Sequence, residues 1–241
     1  MNEEVIQNAF SEYELRYGFS NMDGPTGRIL SSTFINKIKN LINFEEVNTV
    51  LDIGSRDGCQ ALELARYFPN SKVFAFEPNP DAIQFVCNNA AQCSRIKVFQ
   101  TAISQTCGKV PFYKVINGNI GASSLYKTSG HSRSAEWQQS EIEVESVRLE
   151  DWAIYNGIDS IDIVWADVQG AELDVFKSFG KYLSGVKCIA TEVALEKLYN
   201  GSTLMSELDE FLSGFVKISF EPESTRTEAD IVYVNRNLYD Q

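Results

Sequence analysis

A chain of 241 residues with 44% hydrophobic content is long enough for one large domain with a full core. Its formal net charge of -12 and the absence of any basic run argue against a phosphate-backbone partner, so no nucleic acid is expected. No apolar run approaches the ~20 residues that span a bilayer, and the acidic start Met1-Asn2-Glu3-Glu4 lacks the order of a signal peptide, so no membrane contact and a cytoplasmic location are expected.

Residues 1–45 read as a helical lead-in. Ile6, Phe10, Tyr13 and Tyr17 recur at helical spacing, turn formers interrupt from Asn21 to Gly27, and Phe34, Ile38, Leu41 and Ile42 mark a second amphipathic helix. Such a segment is suited either to cover a cleft as a lid or simply to pack against a sheet. From residue 46 to 241 the pattern is that of one α/β domain.

Thr49 to Ile53 reads as a strand that enters the turn Gly54-Ser55-Arg56-Asp57-Gly58 and then a helix from Cys59 to Phe68. Glycine tolerates the positive φ that such turns often need, and it lets a ligand lie against the backbone. The next strand, Lys72 to Phe76, ends on Glu77, about 20 residues past the glycines, where an acid accepts from ribose hydroxyls. A dinucleotide site wants G-x-G-x-x-G, with a helix N-terminus on the pyrophosphate. Here the pattern is D-x-G-x-x-x-G, opened by Asp52, and Asp57 in the loop would repel a phosphate. A sulfonium carries positive charge and no phosphate, so the acids point to S-adenosylmethionine. On this reading Gly54, Ser55, Arg56 and Gly58 serve the methionine and ribose side. Glu77 takes the ribose hydroxyls, Pro78 and Asn79 flank the adenosine, and Ala102 meets the adenine. Asp52 anchors the turn or the cofactor's amino group.

Further along, Asn79 with Pro80 behind it reads as the cap and first position of a helix carrying Ile83, Val86, Cys87 and Ala90. Ile96 to Gln100 is a third strand, Ile161 to Ala166 a fourth and Val186 to Thr191 a fifth. Helices are expected around Leu173, Phe176 and Phe179, stopped by Gly180, and around Leu204, Leu208, Phe211 and Leu212. Val216 to Phe220 and Ile231 to Val234 close the chain as a strand pair. The alternation predicts a doubly wound α/β sheet, mostly parallel with an antiparallel strand near its C-terminal edge. An insertion at about 110–147 breaks it: two strands flank a polar loop from Asn117 to Ser140, expected to face the substrate. The five cysteines form no C-x-x-C pair and read as free thiols.

Asp52 to Gly58, Phe76-Glu77-Pro78-Asn79-Pro80 and Asp167-Val168-Gln169-Gly170-Ala171-Glu172 together resemble the FkbM-type methyltransferases, over roughly residues 45–235. The D-x-Q-G-x-E segment is the most specific of the three. The resemblance implies a Rossmann-like methyltransferase fold, S-adenosylmethionine as cofactor, and methylation of a hydroxyl on a small acceptor, often a sugar.

An alcohol acceptor needs a base within hydrogen-bond reach. Asp167 ends the fourth strand and Glu192 the fifth, both at the carboxyl edge where ligands sit in open α/β sheets. His131 is the only histidine and has a suitable intrinsic pKa. Asp167, Glu192 and His131 are therefore the catalytic candidates, with Asp167 alternatively positioning cofactor or loop. Glu172 and Gly170 are expected to shape the site. A divalent ion held by Asp167 and Glu192 is an option the two acids alone do not favour. A nicotinamide-dependent oxidoreductase and a non-catalytic cofactor-binding module are the competing readings.

Overall fold

The structure is a computed structural model that describes residues 33–117, 119–132, 134–222 and 227–239. The first helix expected in the lead-in, and the turn at 21–27, lie outside the described residues. Residues 33–38 are helical, as the spacing of Phe34 and Ile38 predicts, but the helix gives way to a turn before Leu41 and Ile42, which were expected on it.

Ten strands follow among the described residues: β1 (Thr49–Ile53), β2 (Lys72–Phe76), β3 (Ile96–Phe99), β4 (Ala102–Ile103), β5 (Gly108–Asn117), β6 (Gln138–Val147), β7 (Ile163–Ala166), β8 (Cys188–Ala194), β9 (Phe215–Pro222) and β10 (Glu228–Asn235). Seven of them form one sheet in the order β3-β2-β1-β7-β8-β10-β9. The pairs from β3 to β8 are parallel; β10 runs antiparallel to both β8 and β9. The expected doubly wound, mostly parallel sheet is therefore present, with its antiparallel strand next to the C-terminal edge.

Alternation along each strand sorts side chains into two cores. Val50, Val73, Ala75, Ile163, Cys188 and Ala190 face a layer made by the 33–38 helix, α1 (Cys59–Tyr67) and α2 (Ile83–Ala90). Leu51, Ile53, Phe74, Phe76, Val164, Ala166 and Ile189 face α3 (Leu149–Tyr155), α4 (Glu172–Lys177) and α5 (Met205–Phe211). Burial on both faces explains why the parallel strands are so continuously apolar. On the second face Trp152 meets the rings of Phe74, Phe76 and Phe99 edge-on, at centroid distances of 5.1, 4.9 and 5.2 Å.

Several sequence expectations are corrected. α2 starts at Ile83, not at Pro80. The Asn79 carbonyl accepts from the backbone N–H of Ala82 and Ile83, and its side chain from Asp81, so these residues form a separate turn before the helix. The fourth strand starts at Ile163 rather than Ile161, because the Asp162 carboxylate turns away to accept the N–H groups of Asn48 and Thr49. The fifth strand does not end before Glu192. Pairing with β10 carries it on to Ala194, with Asp230 opposite Glu192. α4 stops at Lys177, and Gly180 opens a 3-10 turn, Gly180–Gly185, instead of closing the helix.

The insertion builds a second, three-stranded sheet in the order β4-β6-β5. β5 and β6 are antiparallel, while β4 runs parallel to β6. Its small core contains Ala102, Phe112 and Val144.

Candidate active site

The turn after β1 is made by the chain's own close approaches. Gly54 has φ 84°, and a β-carbon there would overlap the backbone carbonyl of Asp167. Gly58 has φ 81°, and a β-carbon would lie 3.1 Å from Cα of Val86. The N–H groups of Gly54 and Ser55 both donate to the Phe76 carbonyl, that of Gly58 to the Ser55 carbonyl, that of Arg56 to Glu77 and that of Cys59 to Asp57. Five donors that a phosphate would require are thus already used.

What the turn presents instead is carboxylate. Asp52 is 0% exposed; one of its oxygens accepts from the Ser55 hydroxyl, and the other, Oδ1, has no hydrogen-bond partner. Burial pushes its carboxyl up to about 7; the Ser55 hydroxyl and, more weakly, the Ala61 backbone N–H oppose this, and the charges of Asp57 and Asp167 add to it. Glu77 accepts from the N–H of Arg56 on Oε2 and from that of Asn79 on Oε1, each at 2.8 Å. Burial raises it to about 7 as well. Each Glu77 oxygen accepts one of these hydrogen bonds and, as a carboxylate oxygen, has a second acceptor site.

Register explains the second group of acids. Ala166 is opposite Thr191, so Asp167 and Glu192 come next on neighbouring strands. Strand alternation puts them on the same side as Asp52. Gln169 joins them: its Nε2 donates to Asp167 Oδ1 at 2.7 Å and to Glu192 Oε2 at 2.8 Å. An N–H donor therefore occupies the position between the two carboxylates. Among the described residues, no three His, Cys, Asp or Glu side chains gather as a metal-binding set. The Tyr199 hydroxyl lies 2.9 Å from Gln169 Oε1 and 3.0 Å from the Ala122 carbonyl. Glu172 is buried, accepts the Gly170 N–H on Oε1 and is raised to about 8, chiefly by burial.

The insertion closes over this edge. Ser124 donates to the Gln169 carbonyl, Tyr126 to Asp174, and Thr128 bridges to Tyr199. Trp137 sits at a ring-centroid distance of 6.2 Å from Tyr199. Gly121 faces Arg56, so the loop reaches the glycine turn as well.

The sequence candidates therefore fall into two groups. Asp52, Gly54, Ser55, Arg56, Gly58, Glu77, Pro78 and Asn79 gather around the ends of β1 and β2, and Asp167 with Glu192 stands beside them. Ala102 sits just past β3, buried in the core of the small sheet. His131 contacts Glu196, at 3.0 Å, in the outer part of the insertion. Gln169 and Tyr199 were missed. No local signal marks them: Asp167 and Glu192 come side by side only through the parallel register of β7 with β8, and Gln169 is their bridge only once that order is known.

The family model of the methyltransferase FkbM domain matches residues 52–219, which runs from Asp52 past both acid groups. The chain belongs to the FkbM methyltransferase family. This member of the family is 32% identical over 197 residues to the 2-O-methyltransferase NoeI of Sinorhizobium fredii, covering 78% of this chain and 80% of that protein. It is 23% identical over 150 residues to the hexuronic acid methyltransferase AglP of Haloferax volcanii, covering 62% of this chain and 57% of that one. Its fold is shared by a solved methyltransferase from Geobacter sulfurreducens, with a TM-score of 0.51 at 14% identity, covering 98% of this chain and 90% of that one. Membership makes methyl transfer the chemistry of the FkbM-family chain and sets the nicotinamide alternative aside. No helix among its described residues is long and apolar enough to cross a membrane.

Proposed function

We propose that the chain transfers a methyl group from S-adenosylmethionine to a hydroxyl of a small acceptor, with a saccharide as the acceptor class. The observation that carries this is the turn after β1, where the N–H groups of Gly54, Ser55, Arg56, Gly58 and Cys59 are used internally and the Asp52 carboxyl is fully buried. Such a turn repels a pyrophosphate and suits a ligand that brings its own donors and positive charge. The names of the 2-O-methyltransferase and hexuronic acid methyltransferase relatives support the hydroxyl and saccharide parts.

Asp52 would hold the cofactor's amino group, and Glu77 its ribose hydroxyls. Gly54, Ser55, Arg56 and Gly58 would line the methionine and ribose side, with Pro78, Asn79 and Ala102 toward the adenosine. When bound, S-adenosylmethionine supplies a methyl group on an excellent leaving group. The protein's task is then alignment and proton removal. Asp167 accepts the proton of the acceptor hydroxyl, and Glu192 helps orient that hydroxyl. His131, paired with Glu196, fastens the insertion instead.

Calorimetric titration with S-adenosylhomocysteine, run beside a nicotinamide dinucleotide, tests the cofactor. Transfer of label from methyl-labelled S-adenosylmethionine to a panel of neutral, amino and acidic saccharides tests the acceptor. Failure of S-adenosylhomocysteine to bind overturns the cofactor assignment. Binding without label on any saccharide overturns the acceptor class and favours a non-catalytic module.

A further inference from the structure

We propose that Gln169 is a positioning residue for methyl transfer, whose side-chain amide holds Asp167 and Glu192 together as one carboxylate pair and ties that pair to the insertion. The proposal rests on reading Asp167 as the group that takes the acceptor's proton. Gln169 itself needs no contact with either substrate.

A primary amide has two N–H donors and one carbonyl acceptor. Both donors of Gln169 are used, one on each carboxylate, and the carbonyl lies on the Tyr199 hydroxyl. The partners fix this orientation, because the reverse would aim the amide oxygen at two carboxylates. Tyr199 is 1% exposed, and its hydroxyl is held well above its ordinary pKa, first by burial and then by the charges of Glu228, Glu192, Asp167 and Glu172. It stays a proton donor throughout the useful pH range.

The backbone at Gln169 is a second, independent observation. Its φ is 55°, in the left-handed region that favours glycine and that a residue with a β-carbon rarely adopts. A glycine follows at once, Gly170 with φ 99°, so the turn already has a residue suited to such angles. The strained conformation delivers the amide between the acids. The Ser124 hydroxyl, from the insertion, holds the Gln169 carbonyl at 2.8 Å. One residue thus receives a hydrogen bond from the insertion on its main chain and bridges both acids with its side chain.

Two neighbouring carboxylates repel, which raises the pKa of one of them unless a donor lies between them. The charge of Asp167 reaches Asp52 on β1 and Glu172 on α4, Asp230 of β10 is opposite Glu192, and Tyr199 meets the charges of both acids and of Glu228. The amide is neutral and cannot titrate, and each of its two N–H groups favours the ionised form of the acid it meets. Removing it should load a proton onto the group that must accept one.

The test replaces Gln169 with Leu, of similar bulk, and with Glu, which keeps the shape and an acceptor for Tyr199. Carboxyl signals of Asp167 and Glu192 are titrated by carbon-13 NMR, assigned with Asp167→Asn and Glu192→Gln, in the presence of S-adenosylhomocysteine and in the free chain. The expected result is that one midpoint of the pair rises by about one pH unit or more in Q169L and that the pair takes up an added proton in Q169E. S-adenosylhomocysteine affinity should stay within about threefold in both variants, as expected for a side chain whose partners are the two acids and Tyr199 rather than the cofactor. With a labelled saccharide acceptor, kcat should fall about tenfold or more, its acid limb should move upward with the NMR midpoint, and KM for S-adenosylmethionine should hold. Unchanged carboxyl midpoints in a folded Q169L or Q169E protein would overturn the proposal. The free-chain titration separates this from the cofactor assignment: if S-adenosylhomocysteine fails to bind, that assignment falls and the midpoints still decide the role of Gln169.

Discussion

Gly54 lies directly against the backbone carbonyl of Asp167, with no room for a side chain between them. The end of β1, which carries the glycine turn, and the end of β7, which carries the carboxylate pair, are thus pressed together without an intervening group. A Gly54→Ala chain has to open that contact and hold alanine at φ 84°. Loss of about 2 kcal/mol or more is expected in chemical denaturation. Gly58→Ala, whose β-carbon meets Val86 less severely, should cost less.

Ligand-free stability should fall as pH rises. Asp52 and Glu77 are raised to about 7 and Glu172 to about 8, all chiefly by burial. A carboxyl whose folded pKa lies above its unfolded value favours the folded state while protonated. That contribution is complete below the ordinary carboxylate range near 4 and is lost as pH passes through 7 to 8. Thermal melts of the free chain should therefore show a lower Tm at pH 8 than at pH 5.5. Glu172→Gln should flatten the upper part of that slope.

Binding should release protons near neutrality. Donors and positive charge brought to Asp52 and Glu77 favour their ionised forms. The calorimetric enthalpy of S-adenosylmethionine binding at pH 7 should then vary with the ionisation heat of the buffer. Equal enthalpies in phosphate and Tris would contradict this assignment of the two acids. Glu77→Ala should weaken binding by about tenfold or more, as loss of charge-assisted hydrogen bonds predicts.

Asp167→Asn should lower kcat by about 100- to 10,000-fold, the usual range for a general base, with S-adenosylhomocysteine affinity little changed. Glu192→Gln should cost less. His131→Ala, distant in its bonding from the pair and joined to Glu196, should leave kcat within about threefold. A collapse of kcat in His131→Ala with Asp167→Asn active would transfer the base to the insertion.

Tyr126→Phe removes the hydroxyl that donates to Asp174 and so loosens the insertion from α4. The expected stability loss is about 1 kcal/mol. Limited proteolysis should cut the loop between β5 and β6 sooner than in the parent chain, while the large sheet stays protected.

The cofactor half was legible in the sequence because its signals are local. An apolar strand, a glycine turn, a helix and an acid-ended strand follow one another within thirty residues, about the length of one βαβ unit. The pairing of Asp167 with Glu192 depends on strand order, which no local pattern states. Gln169 looks like an ordinary turn residue until that order is known. The start of α2 was misplaced because Asn79 and Pro80 are good cap residues that here serve a turn of their own. The end of β8 was misplaced because its last residues are held by β10, far along the chain. Ala102 sits just past β3 as expected, but the small sheet that buries it is assembled from β5 and β6, whose partner strand β4 is only two residues long.

β10 enters the sheet between β8 and the β9 edge, and its Asp230 is the neighbour of Glu192. During synthesis the strands around the glycine turn emerge first and pair through short crossovers, while the strand beside Glu192 emerges after every other strand of that sheet. Domains begin to fold as they leave the ribosome. The strand that leads to Glu77 is thus available for pairing well before β10, and the cleft is closed only when β7 and β10 reach the sheet from far along the same polypeptide.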